Sequence, residues 1–165
     1  MNTRIYFPKA RRIALISDSH GDDTMLRGIM PVLERMDGVI MLGDHAEDAR
    51  DLARELYIPV VYVRGNCDPF DDAPEEINGV IGTEGGPTFF ACHGHRYGVK
   101  ESPLGVLYRA RELGAGLALY GHTHIQDMYR EDGVLCVNPG ALCMGSYAIL
   151  RPDGFGIRAE LLKLK

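Results

Sequence analysis

The sequence predicts an α/β fold in which two packed β-sheets carry helices on their outer faces. In the first half of the chain, short apolar runs alternate with helical patterns. In the second half, short strand candidates follow one another with turn residues between them. Hydrophobic residues make up 45% of the 165 residues, enough for one substantial core. Alternating strands and helices favour a parallel sheet, and a run of strands favours a second sheet packed on it.

Three buried strands are predicted in the first half, at residues 13–16, 39–42 and 60–63. Each is a four-residue apolar run, and the third is rich in β-branched side chains. Continuous apolar runs of this length are typical of strands that are covered on both faces. With a helix between each pair, the order β-α-β-α-β predicts that these strands are parallel.

Helical periodicity predicts the two connecting helices. The apolar face of the first is formed by Met25, Leu26, Ile29, Met30, Leu33 and Met36. Asp22, Asp23 or Thr24 can cap its start. Pro31 falls inside this pattern, so the helix is expected to kink or to begin later. The face of the second helix is formed by Ala49, Leu52, Ala53 and Leu56, with Pro59 beyond its end.

The second half is predicted to be mainly β-structure with one helix. Residues 80–81 and 88–92 flank the turn sequence 84–87, which indicates a hairpin. The helix opens at Ser102-Pro103 and closes at Gly114. Further strands are predicted at residues 117–120, 134–137, 147–150 and 156–164, with turns at 131–133 and 152–154.

Composition limits the classes of protein to consider. A length of 165 residues fits one domain. The net charge of -5 argues against a large nucleic-acid-binding surface. No run reaches the roughly 18 apolar residues of a membrane-spanning helix, and residues 1–12 lack the apolar stretch of a secretory signal. We therefore expect a cytoplasmic protein that associates with neither nucleic acid nor membranes.

The four cysteines show no metal-binding or disulfide pattern. They are Cys67, Cys92, Cys136 and Cys143, and none belongs to a C-x-x-C pair. Three of them lie inside apolar runs. We expect those three to be reduced and buried, as small apolar side chains.

Histidines and carboxylates cluster just after five successive strand candidates. The motifs are D-x-H at 18–20, G-D at 43–44, G-N-x-D at 65–68, H-G-H at 93–95 and G-H-T-H at 121–124. Each motif alone is ordinary, because Gly-Asp and Gly-Asn are common turn signals. On an extended segment, the two histidines of H-x-H would lie on one side. Five such motifs in succession predict a metal site at the carboxyl edge of the sheets.

Together these motifs resemble the calcineurin-like metallophosphoesterase superfamily, in particular its small YfcE-like phosphodiesterases. The resemblance extends from about residue 13 to residue 140. It implies a four-layer αββα sandwich of two mixed β-sheets flanked by helices. It also implies one metallophosphoesterase domain over residues 1–165, without a cap domain.

The resemblance implies two divalent metal ions, with Mn expected and Ni, Co, Fe or Zn as alternatives. Carboxylate, imidazole and amide donors without thiolate suit such ions. The implied ligands are Asp18, His20 and His124 for the first ion, Asn66, His93 and His122 for the second, and Asp44 between the two. We also expect Asp44, Asn66 and His95 to take part in catalysis. Attack by a hydroxide bridging the ions on a phosphodiester is the expected reaction.

The third motif departs from the superfamily pattern. Many members have histidine where this chain has Cys67, and a thiol is a weak hydrogen-bond donor. We therefore expect phosphodiesters with good leaving groups as substrates. His45 or His95 could substitute for the missing histidine, and Asp68 could orient His20 or His93. Arg64 is expected to point away from the site.

Two other functions remain open. A non-catalytic scaffold of this fold would act through protein contacts, but the complete set of donors favours an enzyme. A monophosphatase or nuclease of the superfamily is disfavoured by Cys67 and by the acidic charge. The expected partner is a small phosphoester substrate, and the resemblance allows a homodimer or homotetramer.

Overall fold

The computed structural model describes residues 4–83, 85–154 and 156–165, and these form two β-sheets with three α-helices. In chain order the elements are β1 (Ile5–Phe7), β2 (Ile13–Ile16), α1 (Asp23–Leu33), β3 (Gly38–Met41), α2 (Ala46–Glu55), β4 (Val60–Tyr62), β5 (Glu76–Ile81), β6 (Thr88–Cys92), α3 (Leu104–Glu112), β7 (Leu117–Leu119), β8 (Gln126–Glu131), β9 (Val134–Pro139), β10 (Ser146–Asp153) and β11 (Gly156–Lys163). One sheet has the strand order β11-β10-β2-β3-β4 and the other β1-β5-β6-β7-β9-β8.

Both sheets are mixed, as the resemblance implied. Strands β2, β3 and β4 pair in parallel, which confirms the β-α-β-α-β prediction. The antiparallel hairpin β10–β11 extends this sheet beside β2. In the other sheet, β6, β7 and β9 are parallel, and β5 and β8 run antiparallel to their neighbours β6 and β9. The carboxyl ends of both sets of parallel strands form one edge. The motifs that carry histidines and carboxylates follow the strands at this edge.

Alternation along the strands divides the core into three layers of side chains. On β2, Ile13 and Leu15 pack between the two sheets. Ala14 and Ile16 face the opposite way and pack in a second cluster with residues of α1 and α2. A third cluster joins α3 to the outer face of the six-stranded sheet, with Phe90 fully buried in it. This order of helices, sheet, sheet and helix confirms the four-layer sandwich.

The first helix agrees with its sequence signals except at its end. Asp22 is the N-cap, and its carboxylate accepts a hydrogen bond from the Met25 amide at 3.1 Å. Pro31 lies inside α1, and the helix ends two residues later at Leu33. Met36 is buried but lies outside the helix, so the predicted face was too long. None of the helices in the described ranges is long and apolar enough to cross a membrane.

Two edge strands were not predicted. Strand β1 pairs in parallel with β5, although its sequence lies in the short basic segment at the start of the chain. Strand β8 is polar and largely exposed because it is an outer strand, so its sequence lacks an apolar run. Strand β5 begins at Glu76, earlier than the predicted residues 80–81. The β5–β6 hairpin is confirmed, although Glu84 of its turn lies outside the described residues.

Candidate metal centre

The predicted ligands converge at the edge where the carboxyl ends of β2, β3, β4, β6 and β7 meet. Five loops supply them, three from the five-stranded sheet and two from the six-stranded sheet. Donor atoms in three overlapping sets lie within 4.8 Å of one another. Open α/β sheets bind ligands at this edge, because loops from neighbouring strands face each other there.

The first group of donors contains Asp18, His20 and His124. The Oδ1 atom of Asp18 lies 3.1 Å from Nε2 of His124 and 3.7 Å from Nε2 of His20. The two Nε2 atoms are 3.3 Å apart. Asp18 is fully buried, whereas both histidines are partly open to solvent. The group is therefore anchored at its base and accessible from one side.

The second group contains Asn66, His93 and His122. Nε2 of His93 lies 3.0 Å from Oδ1 of Asn66 and 3.2 Å from Nδ1 of His122. His93 is fully buried. Its Nδ1–H donates to the Leu42 carbonyl at 2.7 Å, which leaves Nε2 facing the other donors. Such an outer hydrogen bond fixes the tautomer and orientation of a ligating histidine.

Asp44 lies between the two groups, as the bridging position requires. Its Oδ2 atom is 3.3 Å from Nε2 of His93 and 3.7 Å from Nε2 of His20. Burial would raise the pKa of Asp44, but the hydrogen bond and charge of His93, with the Cys67 amide, bring the pKa well below its usual range. Asp44 is therefore an ionised carboxylate that reaches both groups.

The chemistry of this donor set fits divalent cations. Burial would lower the pKa of His93, but the hydrogen bond with Asp44 and the charges of Asp18 and Asp44 leave it raised. Within the described ranges, the ion-pair partners of Asp18 and Asp44 are histidines, and no lysine or arginine reaches either carboxylate. Burial and the charge of His93 lower the pKa of His122, which favours its neutral, ligating form. Two buried carboxylates grouped with imidazole and amide donors are the environment that Mn, Fe, Co, Ni and Zn ions occupy in proteins.

The backbone around the site is unusual. Six of the site residues have positive φ although they carry side chains, namely Asp18, His20, Asp44, His45, His122 and His124. This conformation is uncommon for residues other than glycine, and it persists where the surrounding structure enforces it, often at functional sites. At these residues, successive side chains therefore do not alternate between two faces as they do along a β-strand.

The reason given for the two H-x-H motifs was therefore wrong. His122 and His124 do not lie on one side of an extended segment, since both have positive φ, and each reaches a different donor group. In the other motif, His95 begins a short 3-10 helix after Gly94, which has φ 111°. The ligand positions implied by the resemblance nevertheless agree with the two groups that the structure brings together.

Asp68 organises the site through the backbone and not through the histidines predicted as its partners. Its carboxylate accepts hydrogen bonds from the amides of Asp44, His45, Ala46 and Gly65, at 2.8–3.1 Å. These contacts tie the loop after β3 to the loop after β4. The residue is 9% exposed. Because four donors share one carboxylate, Asp68 fixes the backbone that presents Asp44 to both donor groups.

Two further supporting residues were missed in the sequence. Asp48 on α2 is buried and accepts hydrogen bonds from the Ser19 hydroxyl, the Gly21 amide at 2.9 Å and His45 Nδ1 at 2.9 Å. Asn138 is also buried. Its amide group donates to the Gly121 carbonyl at 3.1 Å and to the Thr123 hydroxyl at 2.9 Å. In the sequence, Asp48 could have been recognised as an aspartate on the apolar side of a helix. Asn138 could have been recognised as an asparagine at the end of a strand.

A substitution at Gly65 should test how closely the loops approach. A Cβ atom here would lie 2.0 Å from Oδ1 and 2.6 Å from the amide nitrogen of Asp44. We expect Gly65→Ala to lower the free energy of unfolding by about 1–3 kcal/mol and to weaken metal binding. Urea unfolding and calorimetric metal titration measure both effects.

Gly116→Ala is the matched control, because the nearest atom to its Cβ would be the Thr88 carbonyl oxygen at 3.8 Å. We expect this variant to unfold and bind metal like the unmodified protein. If Gly65→Ala also did so, the close approach of the two loops would be contradicted.

His95 and Arg64 lie beside the metal centre. The ring of His95 is 5.4 Å from that of His93 and 6.1 Å from that of His122, between centroids. Burial, followed by the charge of His93, lowers the pKa of His95. Arg64 does not point away from the site region, because it lines the same pocket as His95. The catalytic role of His95 remains a prediction.

Cys67 faces the metal centre, and the other cysteines are more enclosed. The Cys67 amide donates to Asp44 at 3.0 Å, and its Sγ atom lies within 4.8 Å of donor atoms on Asp44 and His20. Burial and the charge of Asp44 raise the pKa of the Cys67 thiol. Cys92 and Cys136 are buried as predicted, whereas Cys143 is only half-buried.

Two bacterial proteins are similar to this chain over most of its length. The probable metallophosphoesterase YsnB of Bacillus subtilis is 37% identical over 145 residues, which cover 84% of this chain and 82% of YsnB. A crystal structure of a predicted phosphoesterase from Streptococcus pneumoniae superposes with a TM-score of 0.76 at 25% identity. That superposition covers 93% of this chain and 90% of the other.

A eukaryotic protein named for vacuolar protein sorting is also similar to this chain. Vacuolar protein sorting-associated protein 29 of Saccharomyces cerevisiae is 25% identical over 157 residues, which cover 80% of this chain and 54% of that protein.

Residues 12–153 match the family described as the calcineurin-like phosphoesterase superfamily domain. With the fold, the donor groups and these similarities in agreement, the chain belongs to the calcineurin-like phosphoesterase superfamily.

Proposed function

We propose that this chain is a phosphodiesterase that holds two divalent metal ions. The observation that carries the proposal is the pair of donor groups with Asp44 between them. Asp18, His20 and His124 would hold one ion, and Asn66, His93 and His122 the other. When bound, the ions would supply Lewis-acid stabilisation of the phosphoryl oxygens and activation of water.

The protein's own residues would position and shield this chemistry. Buried Asp18 and His93 form the floor of the site, and His20 and His124 form its open rim. The Oδ2 atom of Asp18 is held by the His122 amide at 3.1 Å and by the Ser17 hydroxyl, so that Oδ1 faces the histidines. A site held this firmly needs little rearrangement when substrate binds, which favours catalysis.

Cys67 favours substrates with good leaving groups, such as aryl phosphodiesters. Its thiol stands where many superfamily members have histidine, and burial and the charge of Asp44 raise its pKa. A thiol is a weak hydrogen-bond donor, so it would protonate a leaving group less readily than an imidazolium would. Such a site would assist a poor leaving group little, and would favour esters whose leaving group departs without protonation.

The first experiment compares a diester and a monoester on protein stripped of metal with a chelator. Hydrolysis of bis(p-nitrophenyl) phosphate and of p-nitrophenyl phosphate is measured after addition of Mn²⁺, Ni²⁺, Co²⁺, Zn²⁺ or Mg²⁺, and bound metal is counted by elemental analysis. We expect two bound equivalents and faster diester turnover. No turnover with any metal, despite two bound equivalents, would reject the enzyme.

A substitution at Cys67 should shift the substrate preference. We expect Cys67→His to raise turnover of alkyl esters relative to nitrophenyl esters, by up to about 100-fold if an imidazole there protonates the leaving group. The measurement is the ratio of kcat/KM for an alkyl and an aryl diester. Cys143→His, at a half-buried cysteine, is the control. Equal ratios in Cys67→His and the unmodified protein would contradict the role given to this position.

The alternative function is a scaffold that binds metal and acts through protein contacts. The similarity to vacuolar protein sorting-associated protein 29 supports it. Eight large apolar side chains are exposed in the described ranges, with Tyr57 and Phe70 entirely so. The complete donor set favours the enzyme over this alternative, since two-metal catalysis depends on every donor whereas protein contacts do not.

A further inference from the structure

Cys67 places a sulfur atom beside the two donor groups of the metal centre. Its Sγ atom, a ring nitrogen of His20 and a carboxylate oxygen of Asp44 lie within 4.8 Å of one another. This third group overlaps the other two, since His20 belongs to the first group and Asp44 lies between them. The sequence motifs predicted carboxylate, imidazole and amide donors, so a sulfur atom at this place adds a different kind of ligand.

The backbone of Cys67 is held firmly, whereas its side chain is accessible. The Cys67 amide donates to Oδ1 of Asp44 at 3.0 Å, and the Gly65 amide donates to Oδ2 of Asp68 at 2.8 Å. The side chain of Cys67 is exposed, and its Sγ atom accepts a long hydrogen bond of 3.5 Å from Nδ2 of Asn66. Rotation about one side-chain bond can therefore change the distance from Sγ to His20 and Asp44.

The separations within the third group approach those of ligands around one zinc ion. Zn–S bonds are about 2.3 Å and Zn–N and Zn–O bonds about 2.0–2.2 Å long, so that two ligands of one ion lie about 3.6–4.4 Å apart. The donors of the third group lie within 4.8 Å of one another. A movement of about 1 Å would bring them to these distances. Asp44 is buried, so the movement falls to the exposed Cys67 and the partly open His20.

A sulfur ligand would respond to the identity of the ion. Thiolates prefer thiophilic ions such as Zn²⁺, whereas Mn²⁺ and Mg²⁺ prefer oxygen donors and water. The nitrogen and oxygen donors of the first group suit both kinds of ion. A divalent ion is the largest charge in such a site, and a thiol that coordinates one releases its proton to solvent as the metal–sulfur bond forms. The same centre can therefore hold zinc with the sulfur atom and manganese without it.

We propose that Cys67 is a ligand that the centre uses for thiophilic ions, completing a zinc site with His20 and Asp44. The inference rests on the proposed metal centre, but not on hydrolysis of a diester. Coordination would also draw the Cys67 side chain away from the substrate. The ion that occupies the centre would then decide whether Cys67 faces the leaving group.

Cobalt tests the assignment, because Co²⁺ substitutes for Zn²⁺ and a cobalt–thiolate bond has an intense charge-transfer absorption in the near ultraviolet. Metal-stripped protein is titrated with Co²⁺, and bound cobalt is counted by elemental analysis. We expect this absorption in the unmodified protein and its loss in Cys67→Ser. Cys143→Ser, at the half-buried cysteine, is the matched control and should keep the absorption.

The affinities for zinc and manganese give a second readout that does not depend on activity. Each dissociation constant is measured by competition with a chelator. We expect Cys67→Ser to weaken Zn²⁺ binding at least about 10-fold, as loss of a ligand should. Mn²⁺ binding should change by less than about threefold, because Mn²⁺ prefers oxygen donors. Retained Mn²⁺ binding would also show that the variant is folded.

The outcomes separate the role of Cys67 from the proposed enzyme. Two bound cobalt ions without thiolate absorption would overturn Cys67 as a ligand and leave the phosphodiesterase proposal standing. Equal losses of Zn²⁺ and Mn²⁺ affinity in Cys67→Ser, or unchanged affinity for both, would also overturn it. Thiolate absorption that Cys67→Ser removes, without hydrolysis of any ester, would support Cys67 as a ligand and reject the phosphodiesterase.

Discussion

Asp44→Asn should abolish the metal-dependent diester turnover while leaving the fold intact. Asp44 is the donor that reaches both groups, and the amide would replace its anionic Oδ2 with a neutral atom. Removing a residue that only supports a ligand costs about 10–100-fold in metal affinity or activity, so we expect a loss above about 100-fold here. The amide has the same shape, and its oxygen can still accept the hydrogen bond from the Cys67 amide.

The measurement combines diester turnover with bound-metal analysis on the same samples. Asp51→Asn is the matched control, since its carboxylate is exposed and pairs with Arg54 at 2.8 Å on the surface of α2. We expect the control to retain full turnover and both metal equivalents. Turnover within about threefold of the unmodified protein in Asp44→Asn would contradict the bridging position assigned to this residue.

Asp68→Ala should be among the most destabilising single substitutions in the chain. It would remove the shared acceptor of four backbone amides, at Asp44, His45, Ala46 and Gly65. Each buried donor left without a partner costs about 1–3 kcal/mol, so even with relaxation and entry of water we expect a loss of about 3 kcal/mol or more in the free energy of unfolding. Metal affinity should fall as well, because the backbone that presents Asp44 would lose its support.

Urea unfolding of metal-free protein isolates the structural part of this effect. Asp51→Ala is the control, and we expect its unfolding free energy to change by no more than about 0.5 kcal/mol, as is usual for an exposed ion pair. An Asp68→Ala variant that unfolded like this control would show that the four amides find other partners. The backbone role of Asp68 would then be wrong.

The fold was largely predictable because strands that are covered on both faces leave a recognisable pattern in the sequence. The central strands are enclosed on both faces, and their continuous apolar runs identify them directly. Edge strands lack this signal. Strand β8 is polar because solvent covers much of it, and β1 has only three residues and one neighbouring strand.

The convergence of the donor residues was predictable for a different reason. Parallel strands end at the same edge, so donors that follow successive strands must meet, whatever the details of their loops. The conformation of those loops was not predictable, and the positive φ of His122 and His124 overturned the argument from strand alternation. The roles of Asp48 and Asn138 depend on contacts with Ser19 and Gly121, which are 29 and 17 residues away along the chain, and no local pattern encodes them.

The two sheets contribute jointly to each donor group. His124 comes from the six-stranded sheet and joins Asp18 of the five-stranded sheet across 106 residues of sequence, and His93 joins Asn66 in the same way. An ion bound to either group therefore fastens one sheet to the other at the rim of their interface. Occupancy of the centre and cohesion of the sandwich would then be thermodynamically linked, and we expect a chelator to lower the free energy of unfolding of the metal-loaded protein.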